Sequence, residues 1–347
     1  MHHENGSTSR ERRVQIEPPI VAELKAIFET LPDTDLLALL RGPKRRGRPG
    51  YAVDILWRCF VTYYALNIES VSALIRFLRN NPYVAAACGI HSPADMPSQP
   101  TFSRFGSRLA KRWQLVAVRN VQRALTQRLY DTLPGFGDVL AIDSTPIKAW
   151  SNGGKRGKQR SPIRRQRPRV GKASDPDAAW WVKKNTHGQS QYTWGYKAHI
   201  LCDAVYELPI VVDVSAGNLH DVKKATPLLR QVRYAHNKSP KYVLADAAYS
   251  SQHVRHVIRD QYLATPIIDP HPTHRLAHKD RDRTPEWREL YKQRTGVERL
   301  NSRMKAFYRL DSIRVRGKMK VRLHALLSVA ILQARALAFP ERPRSCK

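Results

Sequence analysis

Two short apolar runs, VLAID at 139–143 and YVLAD at 242–246, each close on an aspartate. Their apolar continuity is that of central strands buried on both faces, so the chain must build a sheet with cover on each side. A carboxylate that ends such a strand emerges at the sheet's edge, where open α/β sheets place their sites. Longer strand readings surround these runs: VLAIDSTPIKAW (139–150), TWGYKAHILCDA (193–204), ELPIVVDVSAG (207–217), KYVLADAAYS (241–250) and ATPIIDP (264–270). Helical periodicity fills 221–236, 251–261 and 286–338.

Three strands in succession, then alternating helix and strand, predict an α/β fold: a mixed β-sheet flanked by helices. That order matches the ribonuclease H-like fold. In it the strands carrying Asp143 and Asp246 are neighbours, and the two acids sit side by side. Paired carboxylates repel unless something neutralises them, and a hard divalent cation, Mg²⁺ above all, does so with oxygen ligands.

Before this region the chain reads as all-helical. Apolar spacing near 3.6 (Val21, Leu24, Ile27, Phe28, then Leu36, Leu37, Leu39, Leu40) predicts two short helices, and 52–80 is helical with a break near Asn67. Ser98 stands as the cap of a helix opening PSQPTFSRF. A short helix, a turn and a basic helix between 66 and 113 suit a helix-turn-helix-like DNA module or a plain bundle with a charged face. The expected organisation is a disordered tail at 1–16, a helical N-terminal domain at 17–134, a catalytic domain at 135–340 and a tail at 341–347.

Charge then narrows the partner. The formal net charge is +31, from 60 Lys and Arg against 29 Asp and Glu, which favours a phosphate-rich partner. The segment 151–172 alone holds nine Lys or Arg and no acid. It leads directly out of the strand carrying Asp143, so Lys155, Arg156, Arg164, Arg165 and Arg167 are candidate phosphate contacts. The four cysteines show no CxxC pair, and the histidine pairs His253/His256 and His271/His274 lack a third ligand at a convincing spacing. No apolar run approaches a membrane span and the N-terminus lacks the apolar core of a signal peptide, so a cytoplasmic protein that does not enter a membrane is expected.

A third acid stands in YKQRTGVERLNSRMK (291–305), where Glu298 lies among Lys292, Arg294, Arg299, Arg303 and Lys305. At about 100° per residue, Tyr291, Arg294 and Lys305 fall within roughly 40° of Glu298, away from the apolar Leu290, Val297, Leu300, Met304 and Phe307. An acid in a basic stripe weakens any grip on a polyanion, unless a bound cation reverses its sign. The plainer alternative is a solvated face with an internal Arg294–Glu298 ion pair.

These motifs resemble the DDE transposases of the IS4/IS5 superfamily of bacterial insertion sequences. The Y-(2)-R-(3)-E-(6)-K spacing is met by Tyr291, Arg294, Glu298 and Lys305. AIDSTPIKA, SDPDAAW, GYKAHILCD, SAGNLHD and LADAAYSS precede it in order, and RGRPGY with PSQPTFSRF extends the likeness over roughly 30–340.

The resemblance implies that Asp143, Asp246 and Glu298 form a catalytic, metal-binding triad for two Mg²⁺ ions, with Mn²⁺ as a substitute. It further implies that Arg294 and Lys305 hold the phosphate backbone, with Tyr291 packed against it. The expected activity is cleavage at terminal inverted repeats and strand transfer into target DNA, by a homodimer in the synaptic complex, associated with the nucleoid of a bacterium. A structure-specific nuclease of the same fold, or a non-catalytic DNA-binding regulator descended from a transposase, would share many of these features.

Overall fold

Strand β1 (Val139–Lys148) is central because its residues are apolar on both faces. We describe a computed structural model that covers residues 17–42, 50–153, 173–184, 188–270 and 283–340. On one side β1 pairs antiparallel with β3 (Ser190–Asp203), from Leu140↔Asp203 to Lys148↔Gly195. On the other it pairs parallel with β5 (Tyr242–Ala245), from Val139↔Tyr242 to Ile142↔Ala245, and β5 continues into parallel β6 (Thr265–Ile268). The far edge of β3 is shared: β4 (Leu208–Ala216) pairs residues 196–203, and β2 (Ala179–Lys184) pairs residues 190–195. This is the ribonuclease H-like arrangement, a mixed sheet with helices on both faces.

Strand β2 is an addition to the expected set. Its run AWWVKK is short and ends in lysines, but Trp180 lies opposite Trp194 with ring centroids 5.5 Å apart, an aromatic cross-strand pair that holds it on the edge.

Seven helices precede the sheet among the described residues: α1 (Pro19–Thr30), α2 (Thr34–Arg41), α3 (Val53–Ala65), α4 (Val71–Asn80), α5 (Pro82–Ala87), α6 (Gln99–Leu109) and α7 (Arg112–Thr132). The break after α3 falls at Asn67, in the left-handed region with φ 52°. Ser98 does stand at the start of α6, but its hydroxyl meets Thr101 Oγ1 at 3.0 Å and caps no backbone N–H.

After the sheet's first half come α8 (Val222–His236), α9 (Gln252–His256) with a π turn at Val257–Gln261, α10 (Pro285–Lys292), α11 (Thr295–Tyr308) and α12 (Lys318–Ala338). Helix α8 covers one face of the sheet through Ala225, Leu228, Leu229 and Val232. Helices α11 and α12 cover the other.

Contrary to the expectation of no membrane-length run, α12 is long and apolar enough to cross a bilayer by length and composition. It is instead the central core helix, mostly buried, packed against β4 on one side and α1, α3 and α7 on the other. A single apolar core therefore runs from the N-terminal helices into the sheet. Two buried amides pin this junction: Gln122 donates to Ile210 O at 3.0 Å, and Gln333 to Pro209 O at 2.7 Å.

The helical readings near the third acid need correction. Residues 291–305 are not one helix. Short-range bonds, Arg294 N to Tyr291 O (3.0 Å) and Gly296 N to Gln293 O (2.9 Å), turn the chain between α10 and α11. Thr295 Oγ1 adds a bond to Lys292 O at 2.9 Å, a back-bond of the kind that bends helices. The helical reading 286–338 also breaks after Tyr308, with Arg309 at φ 54° and Gly317 at φ 87°. The tails at 1–16 and 341–347, most of the basic loop including Lys155, Arg156, Arg164, Arg165 and Arg167, and His271 and His274 lie outside the described residues.

Candidate active site

Continuing the parallel register past Ile142↔Ala245 sets Asp143 beside Asp246. Both follow, two residues on, the paired Ala141 and Leu244, which point into the core shared with α11. The two carboxylates thus lie on the face that α11 covers. Strand β5 ends at Ala245, and Asp246 Oδ1 accepts from Ala248 N at 3.0 Å, so the acid also caps the turn that stops the strand.

Helix α11 brings the third acid over this edge. Its buried Val297, Leu300 and Met304 face the sheet. Arg299 binds Glu207 at 2.6 Å and Arg303 reaches the same carboxylate at 3.4 Å, tying α11 to the β3–β4 turn. Gly296 packs so closely that a Cβ there would stand 2.4 Å from Ala204 O.

The site's polar contacts are few and direct. Asn301 Nδ2 donates to Asp143 Oδ2 at 2.9 Å. Arg294 donates to Glu298 Oε1 at 2.7 Å, and its guanidinium lies 5.5 Å from the Tyr291 ring centre. Tyr291 itself stacks on Trp287, with centroids 4.7 Å apart and planes 13° from parallel. Lys305 is half-buried and, among the described residues, has no carboxylate partner.

Electrostatics follow from this crowding. Burial pushes the Asp143 carboxyl up to about 6; repulsion from Asp246 and Glu298 adds to the rise, while the Ser144 backbone N–H and Arg294 oppose it. Burial likewise raises Asp246, with Asp221 adding repulsion and Arg294 again opposing.

Do these residues fit a divalent metal? The donors are all oxygens, and two of them belong to half-buried carboxylates that disfavour their charged form for want of a counter-charge. A hard cation suits that set. As they stand, no three His, Cys, Asp or Glu among the described residues are close enough to hold one, because Glu298 is turned to Arg294 and is half-exposed.

Two polar residues at the site escaped the sequence reading. Asn301 sits one turn beyond Glu298, and only its bond to Asp143 marks it. Asp221, inside SAGNLHD, pairs with Lys197 at 2.9 Å and lies 3.8 Å from His199 Nδ1. His199 bonds Ser215 Oγ at 2.8 Å, and burial holds its ring down at about 4, hence neutral.

Against known proteins, a family described as Transposase DDE domain matches residues 134–333, the whole of the sheet and most of its covering helices. The chain belongs to this transposase family. A second model, also a transposase domain, matches residues 9–108 of the transposase. A named transposase for insertion sequence element IS6501 of Brucella ovis is 32% identical over 114 residues, 33% of this chain and 78% of that protein.

Two solved structures are similar in part. The piggyBac transposase synaptic complex with hairpin DNA has a TM-score of 0.45 at 11% identity, covering 93% of this chain and 76% of that one. The Mos1 transposase paired-end complex with left transposon end has a TM-score of 0.22 at 11% identity, covering 76% and 80%. By its DDE-domain match the transposase is a DNA transposase, and that domain implies the use of a divalent metal.

Proposed function

We propose that this transposase, a member of the IS4/IS5 superfamily, carries out cut-and-paste transposition, with Asp143, Asp246 and Glu298 as its catalytic triad. The observation that carries this reading is the parallel register that sets Asp143 beside Asp246 beneath the helix bearing Glu298. Two Mg²⁺ ions, with Mn²⁺ as a substitute, are the cofactors it implies. When bound, such ions activate the attacking hydroxyl and neutralise the leaving oxygen.

The chain's own residues do the rest. Asp143 and Asp246 present their carboxylates from rigid strand ends, and α11 adds Glu298 once Arg294 releases it. Arg294 and Lys305 then bind the phosphates that flank the scissile bond, with Tyr291 packed beside them; such contacts position the backbone without reading sequence. Water attacks the phosphorus at the element's end, the P–O3′ bond breaks, and the freed 3′-hydroxyl attacks a target phosphodiester, forming a new P–O3′ bond as the target's own 3′-oxygen leaves. Two ends cut together imply a homodimer in the synaptic complex, working on the terminal inverted repeats in the cytoplasm at the bacterial nucleoid.

The test offers labelled element ends and a target plasmid to the full chain in Mg²⁺. Joined product is expected. Hydrolysis without joining would assign a nuclease instead, and cleavage at wild-type rate by Glu298→Gln would remove Glu298 from the triad.

A further inference from the structure

Asn301 is only 6% exposed and lies on α11 beside Leu300 and Met304, in the helix face that packs on the sheet. A primary amide offers two N–H donors and an oxygen acceptor, and burial penalises any left unpaired. Among the described residues its side chain makes one hydrogen bond, Nδ2 to Asp143 Oδ2 at 2.9 Å, and its Oδ1 is buried without a partner.

Packing does not account for an amide here. Leucine has similar volume and would bury at that position with no orphaned oxygen. The other buried amides, Gln122 and Gln333, bond to backbone carbonyls of β4 and join helices to the sheet. Asn301 bonds to a carboxylate alone, and that carboxylate is the one at the end of the central strand.

We propose that Asn301 is a positioning residue for Asp143: its N–H fixes the rotation of the carboxylate and reserves one oxygen, so that the other is presented in a single orientation to a divalent cation. The χ2 torsion of aspartate is otherwise broad, so a free carboxylate would sample many orientations. Asn301 also follows Glu298 by three residues on α11, so the same hydrogen bond holds the helix bearing Glu298 in register with β1. Hydrogen-bond partners of metal-ligating carboxylates act in this way, and their loss costs roughly 10 to 100-fold in metal affinity.

This inference rests on Asp143 being a metal ligand, and the experiment separates the two. Mn²⁺ binding to the full chain without DNA is measured by electron paramagnetic resonance for the wild type, Asp143→Asn, Asn301→Leu and Asn301→Ala. Asp143→Asn should abolish site binding; if it leaves Mn²⁺ affinity unchanged, the metal-site reading falls and this inference falls with it. If Asp143→Asn acts as expected, folded Asn301→Leu should weaken Mn²⁺ binding roughly 10 to 100-fold, with DNA binding in EDTA unchanged. Asn301→Ala removes the same N–H without adding an apolar contact, and it serves the same reading if the leucine variant does not fold. Mn²⁺ affinity within twofold of wild type in either folded variant would overturn the proposal.

Discussion

Arg294 donates to Glu298 at 2.7 Å, so the cation that the family resemblance assigns to DNA phosphate is engaged by one of the acids it accompanies. Its charge also opposes the rise of both Asp143 and Asp246. Arg294→Gln should leave three acids uncompensated next to any incoming phosphate. DNA-end binding should therefore fall more in EDTA than in Ca²⁺, because a divalent cation replaces the lost neutralisation. Fluorescence anisotropy in the two conditions checks this. An equal loss in both would mean that Arg294 acts only by gripping phosphate.

Asp143 carries a stability cost. Its carboxyl rises from 3.8 to about 6 in the folded chain, chiefly through burial. Between those values the folded state holds a proton the unfolded state has lost, so stability falls as pH rises, and above about 6 the full penalty is present. At 1.36 kcal/mol per tenfold, that penalty is about 3 kcal/mol. Asp143→Asn should stabilise the metal-free protein by up to this amount near neutral pH, with the gain disappearing as pH falls towards about 4. Urea unfolding in EDTA at several pH values measures it, and a gain independent of pH would refute the electrostatic origin.

How much of this was legible follows from locality. VLAID and YVLAD announced their strands because a central strand is apolar on both faces, and their neighbouring placement followed from element order alone. Edge strand β2 was hidden because its run AWWVKK is short and ends in two lysines, and its hold on the sheet is Trp194, ten or more residues away in the chain. The turn between α10 and α11 was hidden too. Each residue from Tyr291 to Lys305 tolerates a helix, and the close packing of Gly296 on Ala204 is a contact that no helical wheel contains. Asn301 looked like one more polar residue because its meaning lies in Asp143, 158 positions earlier.

Of the five bases in YKQRTGVERLNSRMK, four are engaged by acids: Lys292 by Glu289, Arg294 by Glu298, and Arg299 and Arg303 by Glu207. Lys305 has no such partner among the described residues. Lys305→Gln should weaken DNA binding and lower the slope of log affinity against log salt by about 1, as expected for one lost phosphate contact. Arg303→Gln should leave that slope nearly unchanged and lower the melting temperature, because its contact ties α11 to the β3–β4 turn. Salt titrations and thermal scans of the two variants separate a DNA contact from a structural one. The reverse pattern would exchange their roles.

Gly296 sets two effects against each other. By helix propensity alone, alanine in α11 would be favoured by about 1 kcal/mol. A Cβ at this position, however, would meet Ala204 O at 2.4 Å and Ala204 C at 3.3 Å, and both are backbone atoms that cannot rotate away. Overpacking against fixed atoms costs typically about 1–3 kcal/mol, so the clash should outweigh the propensity gain. Gly296→Ala should therefore lower the melting temperature and push α11 away from the sheet, lifting Glu298 and Asn301 from Asp143. DNA cleavage should fall steeply, while binding of element ends in EDTA changes little, since no phosphate contact is removed. If the alanine variant is as stable as wild type and cleaves normally, α11 has room to move without loss, and close seating of Glu298 over β1 is not what the site requires.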